Sequence, residues 1–266
     1  MIDTHCHLTY PGLAEREAAV VAEAAAVGVD RLISIGTSIA DSEAAVAAAG
    51  RHRGVWATVG IHPLHAAEVG PLQAAMERLR WLARQPNVVG LGEFGLDRHH
   101  AEPPAQIQAP AFEAQLKLAV EPDLAHLPVV IHNRKATEVT LRMLRQARGL
   151  DPARVVFHCF TGDADEVGAI LAYGAWVGFT GVVTFRNAAD VAEASDRVPT
   201  DRLLIETDAP YLTPAPLRSV RPNEPKYLPH TLKFLAQRRG LAPEVLDQIT
   251  TANAERLFRL DPAGGD

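Results

Sequence analysis

Met1-Ile2-Asp3-Thr4-His5-Cys6-His7 places two imidazoles one residue apart in a run that reads as extended chain. Side chains on a strand alternate faces with a period of two, so His5 and His7 point to one side, and Asp3 lies on that side as well. Two neutral imidazoles aimed at one point, with a carboxylate behind them to orient a ring, are two legs of a divalent-metal site and part of its support. The plain alternative is a pair of histidines with no shared task, because an HxH motif alone says little. What decides is whether later residues can converge on the same point.

The elements that would have to position them can be read from the rest of the chain. Short β-branched or apolar runs recur at Ile2 to Cys6, Arg31 to Ile35, Val55 to Ile61, Val88 to Glu93, Pro128 to His132, Arg154 to His158, Ala175 to Phe179 and Arg202 to Thr207. Alanine-rich helical stretches lie between them, at Ala14 to Val27, Asp41 to Gly50, Leu72 to Arg84, Ala109 to Val120, Ala136 to Ala147, Asp163 to Tyr173 and Ala188 to Arg197. Two more, Pro229 to Arg239 and Pro243 to Phe258, complete the chain. Eight strands each followed by helical sequence predict an α/β fold, a (β/α)8 TIM barrel whose site lies at the C-terminal ends of its strands. The competing open, doubly wound sheet would carry a glycine-rich phosphate turn after its first strand, where this chain has His5 and His7.

Metal-competent residues fall at these strand ends: His5 and His7 on the first, Glu93 on the fourth, His132 on the fifth, His158 on the sixth and Asp208 after the eighth. In a barrel all of these ends meet at one mouth. A single catalytic ion takes about three protein ligands and keeps one position open, so six candidates fit two divalent ions sharing a carboxylate. Glu93 is the natural bridge, with His5, His7 and Asp208 on the first ion and His132 and His158 on the second. Two ions about 3.5 to 4 Å apart suit displacement at phosphorus, and esters or amides equally. Mixed nitrogen and oxygen ligation is compatible with Zn²⁺, Mn²⁺ or Mg²⁺, and four histidines lean away from Mg²⁺ as the tightly held ion.

At 266 residues with 47% hydrophobic content, the chain is predicted to form one domain over residues 1–266, since single barrels commonly run to about 250 residues. Two cysteines make no disulfide framework, and a reduced, cytoplasmic protein is the simpler expectation. No apolar run approaches the roughly 18 residues of a membrane span, so no membrane association is expected. A net charge of −6 excludes a broadly basic nucleic-acid surface but not a local one, because bound divalent ions add positive charge where an anionic substrate sits.

The motifs, taken in order, resemble those of the TatD family of metal-dependent deoxyribonucleases, within the wider amidohydrolase-like barrel group. They are Ile2-Asp3-Thr4-His5-Cys6-His7, Gly60-Ile61-His62-Pro63, Gly92 through Asp97, Gln108 through Phe112 to Gln115-Leu116, Val130-Ile131-His132-Asn133-Arg134, His158 through Gly162, Glu206 through Leu212, Asn223-Glu224-Pro225, and Thr251 through Ala254 to Leu257-Phe258. The resemblance implies a TIM barrel, two divalent ions, hydrolysis of DNA ends and the same ligand set that the spacing suggests. Three places depart from the family pattern. Lys135 stands where the family usually has an acid after His132-Asn133-Arg134, Leu64 separates His62-Pro63 from His65, and Val120 to Leu127 is longer and more polar than usual.

Beyond the ligands, Asp208 and Glu93 are expected to be catalytic as well, with Asp208 able to accept a proton. His62 is expected to contact phosphate or shuttle a proton to the leaving group, and His65 to assist. Arg134 would sit at the mouth, where its planar fork can hold phosphate oxygens, unless it pairs with an inward acid such as Glu206. Glu206 is expected to support ligands rather than bind metal. Asn223 and Arg221 are substrate-binding or loop-positioning candidates, with turn chemistry the alternative. Cys6 and Cys159 should turn away from the metals as small apolar groups. The leading functional expectation is a 3′-5′ exodeoxyribonuclease on single-stranded or frayed DNA ends, with DNA or another nucleic acid as its partner and no obligate protein partner. A two-metal hydrolase of another bond, such as an aminoacyl-tRNA ester, a small ester or an amide, is the alternative. A non-catalytic metal-stabilised module ranks last, because no ligand is missing.

Overall fold

The structure, a computed structural model, describes residues 1–260. Eight strands, β1 (Ile2–Cys6), β2 (Arg31–Ile35), β3 (Val55–Val59), β4 (Val88–Asp97), β5 (Val129–Arg134), β6 (Val155–Phe157), β7 (Trp176–Phe179) and β8 (Leu203–Ile205), form one parallel sheet in sequential order. Helices α1 (Glu17–Ala26), α2 (Ile39–Arg51), α3 (Leu72–Ala83), α4 (Ala105–Ala119), α5 (Thr137–Gln146), α6 (Ala164–Tyr173) and α7 (Ala189–Arg197) follow β1 to β7 in turn. Two more, α8 (Leu228–Arg238) and α9 (Pro243–Phe258), follow β8. This is the predicted (β/α)8 barrel, and no helix among the described residues is long and apolar enough to cross a membrane.

The barrel closes between its first and last strands without a regular ladder. A single parallel bridge joins Cys6 to Ala209, with the Asp208 amide donating to the His5 carbonyl (2.9 Å) and the His7 amide to Ala209 (2.8 Å). Asp3 supplies a further link, one carboxylate oxygen accepting from the Thr207 amide (3.0 Å) and the other from the Thr207 hydroxyl (2.6 Å). Its burial, with the neighbouring Glu206 charge adding to the effect, pushes its pKa up to about 7 despite those bonds. Asp3 therefore pins strands together and does not orient an imidazole, as its place beside His5 and His7 had suggested.

Two apolar layers hold the barrel. The larger packs the outer faces of the strands against the helices, with Val59, Phe94, Ile131, Phe157 and Phe179 among its members. The smaller fills one end of the barrel, where Ile2, Ile33, Val130, Val156 and Leu204 meet Ala254, Leu257 and Phe258 of α9. At about 25 cal/mol per Å² of apolar surface removed from water, each fully buried Leu, Ile or Phe contributes roughly 1.5 to 3 kcal/mol, so α9 is a structural plug rather than an appendage.

Element boundaries differ from expectation in a few places. The predicted helix at Ala14 begins as a 3-10 turn, Ala14–Arg16, and becomes α-helical only at Glu17. Strand β4 runs four residues past Glu93 because β5 also extends, to Arg134, and the two keep pairing from Phe94↔Ile131 to Asp97↔Arg134. Gly95 permits that close approach: its φ is +154°, and a Cβ there would lie 2.0 Å from the His132 carbonyl oxygen. Glu93 thus sits within β4, at the register shift between Leu91 and Phe94, and not at its end. The polar Val120 to Leu127 segment is held against α3 by Arg80–Glu121 (2.6 Å) and Arg84–Asp123 (2.6 Å).

Candidate metal centre

The six sequence-predicted ligands come together at the C-terminal mouth of the barrel, around the buried carboxylate of Glu93. One oxygen, Oε1, lies 3.6 Å from His5 Nε2 and 3.6 Å from His7 Nε2. The other, Oε2, lies 2.7 Å from His158 Nε2 and 3.2 Å from His132 Nδ1. Asp208 Oδ1 completes the first side, 3.6 Å from His5 Nε2 and 3.3 Å from His7 Nε2. The clusters His5-His7-Glu93, His5-His158-Glu206 and His62-Glu93-His132 each bring their polar atoms within 4.8 Å of one another, and of these His5-His7-Glu93 has the spacing suited to holding a metal ion through all three members.

The donors are prepared for that task. His5 is fully buried, yet neither ring nitrogen has a hydrogen-bond partner. A buried imidazole without a partner is costly unless something else satisfies its lone pair. Ligands about 2.0 to 2.2 Å from a shared ion stand roughly 3 to 3.6 Å from each other, which is the spacing around His5 Nε2. Burial, reinforced by His158, lowers the His5 pKa to about 4, keeping its lone pair available.

His132 shows the support that sequence reading missed. Its Nε2 contacts Asp97 Oδ2 at 3.1 Å, so a proton on Nε2 donates to that carboxylate and leaves Nδ1 free to face Glu93 and His158. Asp97 is itself fixed: its Oδ1 accepts from the His99 and His100 amides at 2.8 and 2.9 Å, and the His100 ring approaches Oδ2 at 3.1 Å. Although burial would raise it, the His132 and His100 bonds hold the Asp97 pKa well below the usual carboxylate range. Burial likewise works against a second His132 proton, but Asp97 and Glu93 outweigh it and push the ring up to about 9, so an ion binding at Nδ1 would displace that proton. A signal for Asp97 was present, since four residues after Glu93 on one strand is the same face.

His62 lies closer to this group than a loop residue need. Its Nε2 is 3.0 Å from His132 Nδ1 and 3.8 Å from Glu93 Oε2, while its Nδ1 accepts from the Leu64 amide at 3.1 Å. That acceptor role fixes the neutral ring with its proton on Nε2, aimed at the centre, so His62 presents a donor rather than a lone pair. Burial, and then His132, lower its pKa well below the ordinary value, keeping the ring neutral.

Two glutamines from α4 hold the strand ends in register. Gln115 accepts from the Ile61 amide (2.8 Å) and donates to its carbonyl (3.1 Å), just before His62. Gln108 does the same for Asp97, at 2.8 Å each way. Seven residues apart, the two share one helix face, which is the physical content of the Gln108-to-Gln115 motif.

Glu206 accepts from the Cys159 amide (2.5 Å) and from the Thr4 hydroxyl (3.1 Å), and lies 3.8 Å from His158 Nδ1. It sits against Gly178, where a Cβ would come within 2.6 Å of its Oε2. Its pKa rises to about 7, from burial and in spite of His158 and the Cys159 amide. Arg134 pairs not with Glu206 but with the Thr161 hydroxyl, at 2.6 Å. His65 is partly exposed on the turn after His62 and contacts Glu68 at 3.1 Å. Asn223, offered as a substrate contact, is fully buried, its amide donating to the Thr207 and Tyr211 carbonyls and its oxygen accepting from the Glu224 amide. That geometry positions the loop after β8 and leaves Asn223 no donor toward the mouth. Cys6 is buried, with its thiol on the Ile33 carbonyl.

An eight-stranded parallel barrel with histidines and carboxylates gathered at the C-terminal mouth defines the class of metal-dependent barrel hydrolases. The TatD related DNase family model matches residues 2–259, and the chain belongs to that family. It is 42% identical to the 3′-5′ ssDNA/RNA exonuclease TatD of Erwinia billingiae, with 98% of this chain and 99% of that protein aligned. It is 35% identical to the uncharacterized metal-dependent hydrolase YabD of Bacillus subtilis, over 98% of this chain and all of the relative. Among solved structures, YJJV, a TatD homologue from Escherichia coli K12, superposes with a TM-score of 0.90 at 28% identity, covering 98% of both chains.

Proposed function

We propose that the chain is a metal-dependent 3′-5′ exonuclease acting on single-stranded or frayed DNA ends. The observation that carries the reading is Glu93, whose two oxygens face two separate sets of imidazoles, His5 and His7 on one side and His132 and His158 on the other. Those residues with Asp208 would hold two divalent ions, Zn²⁺ or Mn²⁺ in preference to Mg²⁺ as the tightly bound species. When bound, such a pair polarises the phosphoryl oxygens and makes the attacking water more acidic. The names of the similar proteins from Erwinia billingiae and Bacillus subtilis support the nuclease and metal-dependent assignments respectively.

The remaining chemistry belongs to the chain. Glu93 fixes the spacing of the two half-sites. Asp208 stays ionised, because the His7 hydrogen bond helps overcome the burial that would raise its pKa, so its carboxylate can accept the proton released at attack. His62 directs its Nε2 proton to the centre and donates to the oxygen on which charge develops as the nucleotide leaves. Arg134 at the rim fits a nonbridging phosphate oxygen.

Protein loaded with Mn²⁺ or Mg²⁺ is expected to release mononucleotides from the 3′ end of a 5′-labelled single strand. Chelation should stop release, and Glu93→Gln should lower it by about 10³-fold, equivalent to roughly 4 kcal/mol. Absence of nucleotide release, or Glu93→Gln turning over like the parent, overturns the proposal.

A further inference from the structure

Beside the metal centre, a polar cavity of about 460 Å³ opens between the ends of β4, β5 and β6. Arg98, Arg134 and Lys135 line it, and no salt bridge connects any of the three to an acid among the described residues. Some surface arginines elsewhere pair with acids, as in Arg51–Glu17 (2.7 Å) and Arg78–Glu43 (2.7 Å), and others, such as Arg53 and Arg186, do not among the described residues, so it is the gathering of three cations on one cavity that sets this place apart. The acids on the cavity wall are engaged away from the trio. Glu166 accepts from the Thr137 hydroxyl at 2.5 Å, and Glu138 reaches toward Arg142 at 4.0 Å.

The backbone explains why three cations collect here. Arg98 directly follows Asp97, and its amide extends the β4–β5 pairing by donating to the Arg134 carbonyl at 2.9 Å. Arg98 and Lys135 therefore stand one residue beyond the ends of adjacent strands. Both are exposed, while the neighbouring Arg134 is steadied by Thr161. Asn133 is committed to α5 through Thr137 and Thr140 and contributes no charge. Arg98, Arg134 and Lys135 therefore gather at one rim of the mouth, directly after Asp97 and close in sequence to His132.

We infer that Arg98 and Lys135, beside the Arg134 that fits the reacting phosphate, form a phosphate subsite that holds the nucleotide next to the one being removed, so that Lys135 sets a preference for polymeric over single-phosphate substrates. This rests on the nuclease reading for the identity of the polyanion. Single-strand binding driven by phosphate contacts weakens with salt, by roughly 0.7 in the log–log slope for each contact.

The test is equilibrium binding of a fluorescein-labelled, phosphorothioate-linked oligothymidylate to the metal-loaded full chain, by anisotropy across a salt series. Arg98→Ala and Lys135→Ala are each expected to weaken binding about three- to tenfold and flatten the salt slope by about 0.7. Lys135→Asp should weaken it further, and Lys117→Ala, remote and paired with Glu113, should match the parent. In turnover, the loss in kcat/KM for an oligonucleotide should exceed the loss for bis(p-nitrophenyl) phosphate by at least about fivefold and appear in KM. Unchanged affinity and slope in Arg98→Ala and Lys135→Ala overturn the subsite even if the parent releases nucleotides. Affinity that depends on both residues without any nucleotide release upholds the subsite and overturns the nuclease reading. No binding by the parent overturns both.

Discussion

Asp97→Asn should disable one half of the metal centre while leaving the other intact. The carboxylate gives Oδ1 to the His99 and His100 amides and Oδ2 to His132 Nε2. An asparagine has one oxygen for these two duties. Offering it to His132 turns the NH2 against two backbone N–H groups, stranding donors at a cost of about 1 to 3 kcal/mol each. Keeping it on the backbone points the NH2 at His132, which must then accept at Nε2 and carry its proton on Nδ1, the atom that faces Glu93. Only the second choice keeps both backbone donors satisfied, and it compromises the lone pair at Nδ1. Loss of such outer support costs about 10- to 100-fold in metal affinity, or roughly 1.4 to 2.7 kcal/mol. Asparagine belongs at the upper end, because it enforces the wrong tautomer. Asp97→Ala should lie near tenfold, because it removes the preference without reversing it, though the lost backbone acceptor should lower thermal stability more. Titration with Zn²⁺ and Mn²⁺ against a competing chelator would show one site weakened and one, at His5, His7 and Asp208, unchanged. The reasoning fails if Asp97→Asn takes both ions at parental affinity, or if Asp97→Ala binds metal less well than Asp97→Asn.

Glu17 ties the start of α1 to the end of α2 by accepting from Arg51 (3.0 and 2.7 Å) and His52 (2.7 Å). Burial would raise its pKa, but the Arg51 and His52 bonds win and lower it, so its stabilisation is present above the unfolded value of about 4.3 and lost as pH falls through the lower folded value. Glu17→Gln should cost about 1 kcal/mol at pH 7 and little at pH 3 in urea melts; a gap independent of pH refutes the linkage. The two glycines Gly168 and Gly178 should respond oppositely to alanine. At Gly168, mid-helix in α6 with open space around its Cβ, alanine should stabilise by about 0.5 to 1 kcal/mol. At Gly178 the added Cβ meets the Glu206 carboxylate and should destabilise by about 1 to 3 kcal/mol. Thermal melts of the two variants moving in the same direction would count against this packing argument.

The eight strands and the inward set His5, His7, Glu93, His132, His158 and Asp208 could be read from sequence, because a parallel strand buried on both faces is an apolar run and a polar residue at its end is conspicuous. Side-chain partnerships were harder to read. Asp3 has the same alternation as His5 and His7, yet its partner is Thr207, which is remote in sequence and adjacent only once the barrel closes. Asp97 shares the strand face of Glu93, but the glycines of β4 break the side-chain alternation that would have extended the strand to it. Asn223 reads as an exposed polar loop residue, but the proline-rich turn folds over it. The partners of Arg134 depend on the ends of three strands, and no local pattern encodes them.

Barrel closure bears on when the centre can exist during synthesis. His132, His158 and Glu93 come from consecutive central strands, β4 to β6, and can meet before the rest of the fold is complete. The other half needs His5 and His7 from the first strand beside Asp208 from beyond the last, joined by the His5–Asp208 and His7–Ala209 backbone bonds that close the ring. A chain still emerging from the ribosome, or one opened at the β1–β8 seam, therefore lacks the meeting of His5 and His7 with Asp208. Assembly of the His5, His7 and Asp208 cluster is thereby coupled to closure of the barrel.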